Sequence, residues 1–258
     1  MYQEERLRLI MKELKDKGRL TAKEMTAALG VSRDTVRRDF NLLEDQGLAH
    51  RTHGGLILPK QVPVIAPYQS RSKQSTQAKR AIAQVAQKFL QRGGFYFFDV
   101  STVVSQLAQI SEGPITVYSH SLDNALIFTE KERVDFNLLG GKYYPKNRFF
   151  ANLDTLKQLD QLYFDVAFIG AAGLKDGKIS YDDQADSQLK EVVIKNSQTI
   201  VLLAEAEKFQ QSGHYQAGSL EEIDYLITSQ APEVIKKIDG LEVIETDRKE
   251  EDHDTSSD

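Results

Sequence analysis

Cysteine is absent from all 258 residues. Disulfides and thiolate metal sites are therefore excluded, and the chain suits a reducing cytoplasm. Also missing is any apolar run near the roughly 18 residues that span a membrane, and the charged N-terminus does not read as a signal peptide. Histidine is sparse: His50, His53, His120, His214 and His253 show no ligand spacing, so neither a metal nor another cofactor is expected. There is no basic excess either. A net charge of −5 argues against a protein coated in nucleic acid, yet the average hides an asymmetry. Residues 1–58 carry 11 Lys/Arg against 9 Asp/Glu, and the remainder carries 22 against 29. A slightly basic head on an acidic body suits a module that meets phosphate only at its head.

What is present has a clear order. Leu7, Ile10, Met11 and Leu14 are spaced for one face of a helix over 4–17, which Gly18 ends. Thr21 with Glu24 three residues on is a capping box, so a second helix should run to Leu29. Gly30 supplies a turn, Ser32 can cap a third helix to about Gln46, and Leu48 to Leu58 alternates around Gly54-Gly55 as a hairpin would. This order predicts a winged helix-turn-helix over 1–58.

Pro59, Pro63 and Pro67 mark a stiffened linker over 59–72. From Gln77 to Leu90 an amphipathic helix is expected, and apolar runs then alternate with helical patterns. The expected strands are Phe95–Phe98, Ile115–Tyr118, Asp135–Leu139, Val166–Ile169, Ile200–Leu203, Tyr225–Thr228 and Leu241–Ile244. The fold class is thus α/β, with the winged head joined to a Rossmann-like open α/β domain over 73–245. The tail 246–258 holds six acidic residues and no apolar one, a composition that predicts disorder.

On the third helix, Val36, Phe40 and Leu43 form one stripe, while Arg33, Asp34, Arg37, Arg38 and Asn41 take the opposite arc. A guanidinium can bond guanine O6 and N7 together, and an asparagine amide can do the same for adenine. Ser32 and Thr35 sit where hydroxyls and helix amides can hold a phosphate. Arg51 and His53 on the hairpin are placed for a neighbouring phosphate or the minor groove. An arginine cluster alone would read as a solvated face with an Asp34–Arg38 pair. The full series of elements favours double-stranded DNA.

Arg6, Ile10, Leu14, Ser32, Thr35, Val36, Arg37, Arg38, Asp39 and Phe40, followed by Arg51-Thr52-His53-Gly54-Gly55, resemble the N-terminal signature and wing of DeoR-family transcriptional regulators. The resemblance continues to about residue 230. It implies a repressor of sugar or nucleoside catabolism whose body resembles ribose-5-phosphate isomerases but senses an effector instead of converting it. Lys79 falls where the family has a lysine opening the first body helix. Asp99 to Val103 aligns with its D-S-G-T-T loop, which brings in Ser101 and Thr102. Ser119-His120-Ser121 aligns with T-N-S, and Gly140-Gly141 with a glycine pair after the third strand. Gly170, the pair Asp186 and Lys190, and Lys208 complete the implied effector site. A hydroxyl- and glycine-rich loop entering a helix binds phosphate through amides and the helix dipole, and the three lysines would add charge.

The departures from that pattern leave the effector open. Val100 and Val103 replace hydroxyls, Ser101 replaces glycine, His120 replaces asparagine, and Glu205 and Glu207 add carboxylates that need a lysine partner such as Lys208 or Lys190. The effector is a phosphorylated sugar or related small molecule, an uncharged sugar, or nothing. An isomerase-type enzyme is the alternative, with Asp99, Asp186 or Glu205 as its base. Since the reading head already gives the body a task, no enzymatic activity and no catalytic residue is expected. A homodimer or homotetramer would present paired heads to half-sites about one helical turn, ~34 Å, apart. No membrane partner is expected.

Overall fold

The computed structural model of the chain describes residues 3–46, 48–52, 54–57, 68 and 76–246. It divides into two compact units, residues 1–62 and 63–258. The tail beyond residue 246 and all of the expected linker except Tyr68 lie outside the described residues. Tyr68 itself is buried in the core of the second unit.

In the first unit α1 (Gln3–Lys17) leads through β1 (Arg19–Thr21) to α2 (Ala22–Leu29), α3 (Arg33–Asp45), β2 (His50–Arg51) and β3 (Gly55–Ile57). The expected capping box forms: the Glu24 amide donates to Thr21 Oγ1 at 3.2 Å and the Thr21 amide to Glu24 Oε2 at 2.7 Å. Gly30 closes α2 in the left-handed region at φ 65°, where a side chain would be strained. Ile10, Leu14, Met25, Val36, Phe40, Leu43 and Leu56 fill the core between helices and sheet. The three strands are antiparallel in the order β1-β3-β2. β1 went unread in the sequence because three residues carry no period. It also changes the role of Gly55, which lies inside β3 and not at the wing's tip. A Cβ there would come within 1.9 Å of the Leu20 carbonyl oxygen, so only glycine lets the two strands pair.

Ser32 caps α3 by accepting from the Thr35 amide at 3.2 Å. Ser32→Ala is expected to lower the opening free energy of the first α3 amides by about 1 kcal/mol, read by hydrogen exchange. Unchanged protection there would show that the cap is redundant.

The second unit is built on seven parallel strands in the order β14-β13-β11-β9-β4-β5-β6. They are β4 (Phe95–Phe98), β5 (Ile115–Ser119), β6 (Val134–Leu138), β9 (Phe164–Gly170), β11 (Ser197–Leu203), β13 (Tyr225–Thr228) and β14 (Glu242–Glu245). Neighbouring aromatics on β4 point to opposite faces. Phe98 packs with Ile82, Leu107 and Phe128 from α4 (Gln77–Ala86), α5 (Thr102–Ile110) and α6 (Leu122–Phe128). Phe97 packs with Leu159 and Leu189 from α7 (Leu153–Leu159) and α8 (Gln184–Lys195). Strand order reverses between β4 and β9, and the carboxyl ends of two such strands open the crevice of a doubly wound sheet. Two antiparallel strand pairs, β7 with β8 (Lys142–Tyr144, Phe149–Ala151) and β10 with β12 (Lys178–Tyr181, Tyr215–Ser219), carry further residues to that end.

Candidate functional site

Each unit offers one candidate site. In the first, the exposed arc of α3 carries Arg33, Arg37, Arg38 and Asn41, with Ser32 and Thr35 at its amino end. Asp39 lies on the same helix but is buried, and Arg6 of α1 grips it through both nitrogens: Nε to Oδ2 at 2.7 Å and Nη2 to Oδ1 at 3.0 Å. The two residues belong to the sequence signature, and their geometry explains why: they fix the inclination of α3 against α1. Arg51 of β2 folds back onto the reading helix. Its guanidinium donates to Asn41 Oδ1 and, at 3.3 Å, to the Arg37 carbonyl, while its amide donates to Glu44 Oε1 at 2.8 Å. His53 lies outside the described residues.

In the second unit, Asp99, Ser101, Gly170, Asp186 and Lys190 surround a cavity of about 30 Å³, together with Asn147, Tyr181 and Asp182. Lys190 is the hub. Its ammonium lies 3.0 Å from Asp99 Oδ1, 2.5 Å from Asp186 Oδ2 and 4.1 Å from the centroid of the Tyr181 ring. His120 Nε2 lies 2.9 Å from Asp186 Oδ1, and all of these groups are buried. Burial pushes the Asp99 carboxyl above its usual range despite Lys190. For Asp186 burial acts in the same direction but is outweighed by Lys190 and the His120 hydrogen bond, so its carboxyl sits below the usual range. Burial, reinforced by Asp99 and Asp186, also raises the Tyr181 phenol well above its ordinary value, and its hydroxyl donates to the Gly170 carbonyl at 2.6 Å. Asp99, His120 and Asp186 place one ligand atom each within 4.8 Å of one another, the spacing of a metal site. The Lys190 ammonium already supplies the cation between those carboxylates.

The remaining expected effector residues do not line this cavity. Ser119 and Ser121 are buried and hold the backbone: Ser119 Oγ accepts from the Ser121 amide and from Asn124 Nδ2, both at 3.1 Å, and Ser121 Oγ caps α6 through the Asn124 amide at 3.2 Å. Thr102 is buried as the first residue of α5. Lys79 Nζ lies 3.7 Å from Glu205 Oε2, and Lys208 meets Glu207 at 3.1 Å and Gln211 at 3.0 Å. Gly140 and Gly141 are exposed, with the Gly140 carbonyl accepting from Thr155 Oγ1 at 2.6 Å. Sequence reasoning missed Asn124, whose amide joins Ser119 to the Asp99 carbonyl (3.0 Å) while its oxygen accepts from Ser105 at 3.1 Å. Its place three residues after the Ser121 cap was legible, its partners were not.

A DeoR-like helix-turn-helix domain matches residues 6–62, and a DeoR C terminal sensor domain matches residues 74–230. The chain belongs to the DeoR family. Among its relatives, the HTH-type transcriptional repressor GlcR of Bacillus subtilis is 33% identical over 255 residues, covering 97% of this chain and 99% of its own. The Glycerol-3-phosphate regulon repressor of Escherichia coli is 27% identical over 237 residues, covering 91% of this chain and 94% of its own. A solved D-ribose-5-phosphate isomerase in complex with phospho-erythronic acid overlaps 50% of this chain and 52% of its own at TM-score 0.36 and 17% identity, a likeness too slight to carry more. This DeoR-family chain is a DNA-binding transcriptional regulator, not an enzyme. Among its described residues no helix is long and apolar enough to cross a membrane.

Proposed function

We propose that this DeoR-family protein represses genes of carbohydrate catabolism by seating α3 in the major groove of an operator. A sugar-derived effector entering the crevice at Asp99, Ser101, Gly170, Asp186 and Lys190 then adjusts operator affinity. The observation that carries the DNA half is the arc of Arg33, Arg37 and Arg38, exposed on a helix whose other face is locked into the core. Arginine forks on a rigid mount read base edges, whereas the capped helix start suits a phosphate. The effector can act only by binding two arrangements of the heads with different affinity. Selection of duplexes from a randomised pool by the full-length protein tests the reading. Convergence on one motif supports it, and binding that depends on salt but on no sequence overturns it.

The Arg51 contact refines the role of Asn41. A bidentate adenine contact needs both the amide nitrogen and Oδ1, and Arg51 engages Oδ1. Arg51→Ala is expected to shift base preference at one position of the selected motif towards adenine, by about 1 kcal/mol or less. An unaltered motif with a shallower salt dependence would assign Arg51 to a phosphate instead.

A further inference from the structure

The crevice is too small for the ligand that the proposed function assigns to it. Its cavity holds about 30 Å³, the share of one water molecule, whereas ligand pockets begin near ~300 Å³. A bordering element therefore has to yield. β4 and β9 are inner strands of the seven-stranded sheet, and α8 is packed on that sheet through Leu189 and Val193. The β7–β8 pair stands outside the sheet as a two-stranded ribbon, and its turn brings Asn147 to the cavity.

The ribbon rests on the segment that joins β5 to α6. The Phe150 amide donates to the His120 carbonyl at 2.9 Å and the Leu122 amide to the Arg148 carbonyl at 3.0 Å. The Arg148 guanidinium grips Asp123, with Nε and Nη2 donating to Oδ1 at 2.9 and 2.8 Å. Phe149 stacks on Tyr144 at 4.6 Å and meets the His120 ring edge-on at 5.6 Å. On the other side Lys146 lies 3.9 Å from Asp182. Arg148 takes φ 57°, a left-handed backbone that a residue other than glycine keeps only where its surroundings impose it. Tyr68 belongs to those surroundings. The Asp123 hydrogen bond is the main cause that holds the Arg148 guanidinium above its ordinary value, against burial, and Tyr143 and Tyr68 add to it.

Tyr68 is 1% exposed and shares one apolar cluster with Phe149, Val100 and Tyr181. Val100 and Tyr181 line the cavity. Yet Tyr68 comes from the stretch that the sequence marks as a linker. Among the described residues of the second unit it is the nearest in sequence to Ile57, where β3 of the head ends, and Thr76 is the next. A buried aromatic withdraws about 150–250 Å² from water, enough to moor a chain. The chain coming from the head is thus fixed in the second unit at residue 68, ahead of the Thr76 cap of α4.

We propose that Tyr68 couples the crevice to the reading head: Tyr68 seated and the β7–β8 ribbon closed are one state, and an effector that lifts the ribbon unseats Tyr68. The inference rests on the proposed function, on its crevice and its operator alike. The operator favours the seated state and the effector the unseated one, so each weakens binding of the other. Because such linkage is reciprocal, the operator alone reports the equilibrium.

The test is hydrogen exchange of the full-length protein, read by mass spectrometry over 142–151 with the selected operator duplex, a scrambled duplex or no DNA. The operator should slow exchange there at least about fivefold, the lower end of ordinary coupling factors, and the scrambled duplex should not. Tyr68→Ala should exchange faster over 142–151 without DNA and lose the operator's effect while still binding the operator. Should the alanine variant not fold, Tyr68→Leu takes its place. Tyr68→Phe keeps the buried ring and should keep the effect. Leu241→Ala opens a hole in the same cluster, just before β14 at the far edge of the sheet, and should also keep it. That variant separates coupling from a general loss of packing. No change or faster exchange in the parent overturns the proposal, as does an effect that survives Tyr68→Ala or Tyr68→Leu or is lost in Leu241→Ala. If the randomised pool yields no motif, the reading of α3 fails instead.

Discussion

Replacing Lys190 with Met should destabilise the second unit by about 3–5 kcal/mol, the usual cost of removing one partner from a buried ion pair. Methionine keeps the length and most of the volume of the side chain, so packing is largely preserved and the loss reports the charge. The ammonium bridges Asp99 and Asp186 at 1% exposure and covers the Tyr181 ring. Without it two carboxylates face each other in a dry site, with only His120 to offset them. They then titrate as one unit and keep a proton well above the ordinary carboxylate range. The sign of the pH dependence follows. A carboxyl whose folded pKa is raised binds protons more readily folded than unfolded, so stability rises as pH falls through that pKa towards the unfolded value. The deficit of Lys190→Met should therefore shrink between about pH 7 and pH 5. In the parent, Asp186 sits below its ordinary range, so its contribution is present above the unfolded value and is lost only as acid takes the pH through the lower folded one. Asp99, raised by burial, runs the other way and favours the fold while protonated. Urea denaturation across this range measures both behaviours. A loss below about 1 kcal/mol, or one that does not change with pH, would mean that the ammonium is not what holds this site together.

Much of the fold was legible because buried parallel strands are written as continuous apolar runs. All seven expected strands form, and Phe95–Phe98 and Tyr225–Thr228 have the expected bounds. The head was equally readable, since the Thr21–Glu24 box and the Gly30 turn are local chemistry. What stayed hidden depends on partners distant in sequence. Strand β10 finds β12 across α8 and β11, with no hairpin turn to announce it. Arg19–Thr21 is a strand only because β3 lies beside it. The candidate site follows the same rule. Asp186 and Lys190 are a helical pair four residues apart and could be matched in the sequence. His120 reaching Asp186, and Glu205 choosing Lys79 over Lys190 or Lys208, are outcomes of the sheet order, which no local period encodes. Ser119 and Ser121 illustrate the converse. Their hydroxyls suit a ligand on paper, but the first turn of α6 and the end of β5 need them first.

Arg37→Ala should weaken binding to the selected operator by about 1–3 kcal/mol, roughly 5- to 150-fold, and relax base preference at one position. Arg37 is exposed one residue beyond Val36, which is fully buried, so the backbone beneath the guanidinium is fixed while its head remains in solvent. A pre-set fork loses little freedom on meeting a guanine edge, which is why the loss should concentrate on sequence discrimination. Because the side chain is outside the core, the head's thermal midpoint should hardly move, separating lost reading from lost folding. Ser32, at the helix start, provides the contrast. Removing its hydroxyl should weaken specific and random duplexes alike, since a phosphate carries no sequence. Titrations of the parent and both variants against selected and scrambled duplexes, at several salt concentrations, decide the assignment. If Arg37→Ala lowers affinity for both duplexes equally and makes the salt slope shallower by about one, Arg37 positions the helix on the backbone, and base reading passes to Arg33 or Arg38.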